Sequence, residues 1–321
     1  MTKLAPAEEQ RLLVKVSKMY YEEGLIQDVI MERLKLSRSK VSRLLDQARH
    51  QGIVHITVIA PPGIFSDLEY NLEKRYHIQE AVVVEAHESD SQEAVNRQLG
   101  LSAANYLRRT IADNNVTGVS WGSTLNNMVG ALQSLQVHGV QVVQIIGGLG
   151  QPESEMHATD LCKRMARTLS CRLTLLPAPG IVNTQQTKEA FLSDWYVKKA
   201  LEMFNKLDVA FVGIGAPTLN SVMMRDGSII TQSEMDDLLK KGAVGDIALR
   251  FFDAKGQPIQ SEVDQRVIGI KLEELTKVKR VVGVAGGPEK LAAIRGALSG
   301  DLVDVIITDS VTAAQLLRSN S

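Results

Sequence analysis

The sequence predicts an α/β protein: a small N-terminal module of helices, then a large domain built on a mainly parallel sheet. Three observations predict it. Seven Val- and Ile-rich runs recur from residue 80 onward, and most end in Gly, Pro, Ser or Asp. Helical patterns such as "SQEAVNRQLGLSAANYLRRTI" and "PEKLAAIRGALSG" separate several of them. Such alternation is the pattern of a parallel sheet flanked by helices. Residues 8–52 read instead as three short helices.

Composition bounds the rest. A chain of 321 residues can bury a sizeable core and has room for two domains. Aromatic residues make up only 4%, which argues against a single-strand binder that stacks bases. No run of 18 apolar residues exists, so no membrane-spanning helix is expected. The opening "MTKLAPAEEQRLL" lacks the apolar core of a signal peptide. Cys162 and Cys171 fit neither a disulfide framework nor a CxxC site. Together these features predict a cytoplasmic protein with ordinary small apolar cysteines.

The first helix is carried by "EEQRLLVKVSKMYYEEG", with Leu12, Leu13, Val16, Met19 and Tyr20 at helical spacing and Gly24 as its end. "LIQDVIMERLKL" predicts a second, with Ile26, Val29, Ile30 and Leu34 inward. "SRSKVSRLLDQARHQG" predicts a third. Ser37 is a good N-cap and Gly52 a good stop. Val41, Leu44, Leu45 and Ala48 make its apolar stripe, Ser39, Ser42 and Arg43 face away, and Lys40 lies on the flank.

Charge is unevenly spread. Residues 1–56 carry ten Lys/Arg against seven Asp/Glu, whereas the remainder carries 26 against 30. A basic surplus on a polar-faced third helix, after a tight connection, predicts a helix-turn-helix whose last helix enters a DNA major groove. Arg43 suits a bidentate pair with guanine, and Ser39 and Ser42 suit bases or phosphates. Arg38 and Lys40 suit phosphates. Gln27 on the second helix and Ser37 at the cap complete the expected DNA-facing set. A solvated helix face would carry the same charge, and three helices would also make a plain interaction module.

"GIVHITVIAPPG" predicts a short strand and then a break at Pro61-Pro62-Gly63. The expected boundaries are therefore 1–56, a linker at 57–66, and 67–321. "FSDLEYNLEKRYHI" opens the large domain as an amphipathic helix with Leu68, Leu72 and Tyr76 on one side. The seven strands follow as "EAVVVE", "NVTGVSWG", "VQVVQIIGG", "RLTLLPAPG", "LDVAFVGIG", "RVVGVAGG" and "LVDVIITD".

Ligands of such sheets bind beyond the carboxyl ends of strands. In "GVSWGSTLNNMVGAL", Gly122 leaves a strand and Ser123 and Thr124 open a helix. That is a phosphate cradle in outline, or a plain helix cap. It lacks the Lys of a Walker A loop. In "GVAGGPEKLAAI", Lys290 stands at a helix start, where the dipole favours anions. A bound anion would compensate it there, and so would solvent. Asp246 in "AVGDIALRFFDAKG" could accept from sugar hydroxyls or cap a turn. "GIGAP", with Gly215, and "IIGGLG", with Gly147 and Gly148, add glycine-rich strand ends. "VGIGAPT" is no dinucleotide fingerprint, because Thr218 replaces the third glycine. His138 and His157 lack ligand spacing, and no catalytic motif appears, so neither a metal nor a cofactor is expected.

These stretches resemble the SorC family of sugar-responsive bacterial transcriptional regulators. The segments that carry the likeness are "MYYEEGLIQDVIMERLKLSRSKVSRLL", "GVSWGST", "VQIIGGLG", "DVAFVGIGAP", "AVGDIALRFFDAKG", "GVAGG" and "VIITDSVTAAQLL", in order along nearly the whole chain. The resemblance implies a helix-turn-helix joined to an effector-binding and oligomerisation domain with the fold of sugar-phosphate isomerases and glucosamine-phosphate deaminases. It implies a homotetramer that binds operator double-stranded DNA and answers to a phosphorylated sugar or sugar alcohol. It places the phosphate loop on Gly122, Ser123 and Thr124, and effector contacts on Asp246 and Lys290. Some members have Lys just before the glycine pair that here is Gly147-Gly148. This chain has Ile146, so Schiff-base capture of an aldehyde there is not supported. The rival expectation is a sugar-phosphate isomerase or deaminase with an added helix-turn-helix. It needs an acid/base pair, and Asp246 is a lone candidate.

Overall fold

The computed structural model describes residues 6–57, 59–61, 63–149, 158–218 and 229–318. The chain divides into two compact units between Ala60 and Pro61, inside the stretch expected as linker.

The first unit is three helices around one small core. Helix α1 (Pro6–Ser17) runs on into a single π-helical turn at Lys18–Glu22, and Gly24, with φ of 67°, turns the chain. Helix α2 (Gln27–Leu34) ends at Lys35, which takes the left-handed conformation at φ 53°. Three residues later α3 (Arg38–His50) begins, capped by the Ser37 hydroxyl, which accepts from the Lys40 N–H at 3.3 Å. Leu13, Val16, Met19, Ile30, Val41, Leu44, Leu45 and Ala48 fill the core. Three expected core residues lie outside it. Ile26 is 64% exposed, and Val29 and Tyr20 are also exposed. Helix α2 is only eight residues long; Ile30 is its one fully buried residue, Met31 and Leu34 pack partly buried against the core, and Ile26 and Val29 are left exposed.

The strand expected after α3 does not form among the described residues. His55, Ile56, Thr57 and Ile59 make no backbone hydrogen bond to another described residue, so a β-branched run is present with no described neighbour to pair it.

In the second unit, α4 (Ser66–Tyr76) buries Leu72 and leads into β1 (Glu80–Val84). There follow α5 (Gln92–Thr110), β2 (Val116–Val119), α6 (Ser123–Ala131), β3 (Gln141–Gln144), α7 (Ala158–Thr168) and β4 (Arg172–Thr174). Next come α8 (Gln185–Ser193), α9 (Trp195–Glu202), β5 (Val209–Gly213), α10 (Gln232–Lys240) and a hairpin of β6 (Gly245–Ile247) and β7 (Arg250–Phe252). The unit closes with α11 (Glu262–Arg266), α12 (Leu272–Leu275), β8 (Val281–Val284), α13 (Leu291–Ser299), β9 (Val305–Asp309) and α14 (Ser310–Leu317).

All seven expected strands form one parallel sheet in the order β1-β9-β8-β5-β2-β3-β4. Strands β5, β8 and β9 are buried along almost their whole length, as parallel strands covered on both faces must be. One apolar cluster joins Val143, Ile145, Ala210, Val212 and Ile306 on one face. Another joins Leu99, Leu107, Leu125, Val142, Phe211 and Val284 on the other. From β2 the chain proceeds to β3 and β4 on one side, and β5 then starts the other half. Their shared boundary is the switch point of the sheet, where a crevice opens beyond the carboxyl ends.

Candidate functional site

A cavity of about 180 Å³ lies at that switch point. Strand β2 delivers Trp121, Gly122, Ser123 and Thr124 to it, and β5 delivers Ile214, Gly215 and Ala216. The loop after β8 adds Glu289 and Lys290, and the β6–β7 hairpin adds Asp246 and Ala248. Six of the eight residues expected to hold an effector therefore converge. Gly147 and Gly148 do not line the cavity. The chain after β3 turns away, so Gly147 donates to the Ile268 carbonyl and Gly148 to the Ala178 carbonyl. A side chain on Gly147 would collide with the Ala178–Pro179 backbone, which accounts for a glycine there on packing alone. Gly150 and His157 lie outside the described residues.

Gly122 has φ of 121° and forms the N-cap of α6 without a side-chain cap. A side chain there would meet nothing within 4 Å, so backbone conformation, not crowding, asks for glycine. The N–H groups of Ser123, Thr124 and Leu125 have no acceptor among the described residues, as the first turn of a helix leaves them. Neither hydroxyl caps the helix. Both instead contact Asn96, 8% exposed on α5. Its Nδ2 donates to Ser123 Oγ at 3.3 Å, and Thr124 Oγ1 donates to its Oδ1 at 3.3 Å. Gln92, one turn earlier, donates through Nε2 to Asn96 Oδ1 and to the Gly286 carbonyl, each at 3.0 Å. Sequence reasoning missed Gln92 and Asn96, because only the packing of α5 against α6 brings them to the cavity. Their i, i+4 spacing on one helix face was the available signal.

Asp246 lies within a strand rather than beyond the end of one. It lies in β6, whose two-residue turn to β7 puts Ala248 at φ 53° and Leu249 at φ 61°. Such a turn ordinarily takes Asn-Gly or Gly-Gly. Here Asp246 Oδ2 accepts from the Leu249 N–H at 3.1 Å and holds it. The turn-capping reading of Asp246 is thus visible, and its second oxygen is left over. One oxygen clasps the turn, and Oδ1 is buried beside the cavity with no partner among the described residues. Burial pushes the Asp246 carboxyl up to about 6, against the pull of the Leu249 N–H and of Lys290. Burial also lowers the Lys290 ammonium, opposed by Asp246 and Glu289. An anion and hydroxyl groups brought between them would satisfy both.

Arg250 anchors the hairpin. It is 4% exposed, and its donors reach Asp264 Oδ1 at 2.7 Å and the carbonyls of Asp264, Val267, Gly269 and Ile270. Among the described residues no group of three or more His, Cys, Asp or Glu could hold a metal. No described helix is long and apolar enough to cross a membrane.

In the first unit, Ser39, Ser42 and Arg43 are exposed on α3, as expected. Arg43 Nε donates back to the Ser39 carbonyl at 3.4 Å. Arg38 lies 3.8 Å from Asp28, and Lys40 pairs with Glu9 on α1 at 3.3 Å. Gln27 is the first residue of α2 and is half-buried.

Residues 62–318 match the model of the Sugar-bind family, a sugar-binding domain. The deoxyribonucleoside regulator of Bacillus subtilis (strain 168) is 34% identical over 311 residues, 97% of this chain and 98% of that one. The sorbitol operon regulator of Klebsiella pneumoniae is 30% identical over 318 residues, 97% and 99% of the two chains. The crystal structure of the full-length sorbitol operon regulator SorC from Klebsiella pneumoniae superposes with a TM-score of 0.74 at 29% identity, over 98% of this chain and all of that one. Catalysis is not what these relatives are named for; each is a regulator of transcription, and the chain belongs with them to the SorC family of sugar-responsive transcriptional regulators.

Proposed function

We propose that this regulator binds operator DNA through a helix-turn-helix formed by α2 and α3, and that its effector is a phosphorylated sugar or sugar alcohol. The observation that carries the effector reading is the cavity at the switch point. It joins free helix N–H groups and a hydroxyl at Ser123 to a lysine and an unpartnered carboxylate oxygen. The phosphate sits on Gly122, Ser123 and Thr124, Lys290 takes the anion or an adjoining hydroxyl, and Asp246 orients hydroxyls. The exposed Ser39, Ser42 and Arg43 read bases, and Arg38 and Gln27 meet phosphates. Lys40, paired with Glu9, ties α3 to α1 and offers its remaining donors to the backbone. The protein works in the cytoplasm as a homotetramer and needs no cofactor. Effector and operator are coupled because the effector binds one arrangement of the tetramer better.

Titration calorimetry with pentose and hexose phosphates, paired with operator binding in their presence and absence, tests this. The expected result is one ligand that binds and changes operator affinity. A ligand at about a hundredfold its dissociation constant should also add roughly 2.7 kcal/mol of stability. Operator affinity indifferent to every bound phosphate, or turnover of one of them, would overturn it.

A further inference from the structure

We infer that Ser123 alone of the two cradle hydroxyls donates to the bound anion, and that Asn96 is the positioning residue that makes it do so. The inference rests on the phosphorylated-effector reading above.

The polarity of the site starts from an atom that can only accept, the Gly286 carbonyl oxygen. Gln92 meets it at 3.0 Å, so the Gln92 atom there is the Nε2 donor. The same Nε2 lies 3.0 Å from the Asn96 amide, so the Asn96 atom facing it is Oδ1. Asn96 Nδ2 is then the atom 3.3 Å from Ser123 Oγ, and that oxygen must accept. Thr124 Oγ1, 3.3 Å from Asn96 Oδ1, must donate. Neither amide can be turned over. Turning Asn96 sets two NH₂ groups against each other, and turning Gln92 sets two oxygens against each other.

The two hydroxyls therefore end in opposite states. The Thr124 proton is spent on Asn96, and the side chain is 3% exposed. The Ser123 oxygen is engaged as an acceptor, and its proton has no acceptor among the described residues. Ser123 is the less buried of the pair and lines the cavity. A chain of three fixed groups, from the loop after β8 through α5 to the start of α6, delivers one hydroxyl proton to the anion. Thr124 holds Asn96 in register.

Asn96→Asp tests the relay. A carboxylate has no donor, so it draws the Ser123 proton onto itself. The full-length protein is titrated with ribose 5-phosphate, glucitol 6-phosphate and inorganic phosphate. Ser123→Ala should weaken the phosphate that binds by about ten- to a hundredfold, the scale of a hydrogen bond to a charged group. Asn96→Asp should weaken it at least as much, partly through its added charge. The decisive reading is the coupling: in the Asn96→Asp background, Ser123→Ala should cost less than about twofold more. Gln92→Leu adds no charge and unlocks the Asn96 amide, so the cost of Ser123→Ala should shrink there too. That arm stands if Asn96→Asp does not fold. Losses that multiply in both backgrounds overturn the relay while leaving the effector reading intact. A wild type that binds none of the three phosphates overturns both.

Discussion

Gly215 and Asp246 exchange two backbone hydrogen bonds, N···O 2.9 and 3.0 Å, and Asp246 Oδ1 occupies the space where a Gly215 side chain would stand. The glycine two residues beyond β5 and the carboxylate of the hairpin are thus one fitted pair. Gly215→Ala should displace the carboxylate and destabilise the protein by about 1–3 kcal/mol, the usual cost of overpacking. In an Asp246→Ala background the same change should cost far less, since the colliding oxygen is gone. Denaturant melts of the four proteins give the coupling. Additive losses would separate the two residues.

The Asp246 carboxyl gives stability a specific pH dependence. Its native value is raised to about 6 from an ordinary 3.8. Between about pH 4 and pH 6 the native state therefore holds a proton that the unfolded chain has lost. Stability from this group is full below that window, falls as the pH rises through it, and is flat above. Asp246→Asn should raise the melting temperature at pH 7.5, by an amount corresponding to at most about 3 kcal/mol, and leave it near wild type at pH 4. An equal gain at both pH values would contradict the assignment.

Lys290→Ala should reduce affinity for a phosphorylated effector by about 1.5–3 kcal/mol. Asp246→Ala should cost a similar amount and alter which sugar is preferred. Operator binding without effector should be unchanged in both. Calorimetry and operator titrations read the two properties separately, and wild-type effector affinity in both variants would remove the pocket from the account.

Arg43→Ala should cost about 1–3 kcal/mol on operator DNA and little on random DNA, as loss of a base contact does. Equal losses on the two DNAs would reassign Arg43 to phosphate. Lys40→Ala should lower binding to both and flatten the salt dependence. The Glu9 pair adds a further expectation, a small loss of stability in the first unit that a thermal melt would register.

The fragment 64–321 should fold and bind the effector but not DNA. The division between Ala60 and Pro61 motivates the cut. Operator affinity retained by the fragment would show that the recognition surface lies elsewhere.

Much of this architecture was legible in the sequence because parallel strands buried on both faces leave a coarse trace. Runs such as "DVAFVG" and "VDVIITD" can be little else. The β6–β7 hairpin left no such trace. Its turn is Ala248-Leu249, with neither Gly nor Asn, and what holds it is a hydrogen bond from Leu249 to Asp246. The run at 53–60 misled for the opposite reason, since β propensity is present and no pairing neighbour stands among the described residues. Ser123, Asp246 and Lys290 stood out as polar residues at strand ends or helix starts. Asn96 and Gln92 lie inside an ordinary amphipathic helix, and their role arises only where α5 crosses the start of α6.

Among the described residues strand β1 pairs with β9 alone, Glu80 opposite Val305 and Val84 opposite Asp309. Just before it, Arg75 donates to the Leu317 carbonyl at 2.8 Å and Tyr76 to the Leu316 carbonyl at 3.1 Å. The first strand of the sheet therefore waits for the last. During synthesis at about 5–20 residues per second, the three-helix unit is whole on the order of tens of seconds before β9 and α14 leave the ribosome. A nascent chain can complete the unit proposed to read DNA before it can close the sheet that holds the cavity. On the reading proposed above, each new molecule of this regulator completes its reading head first and its receptor second.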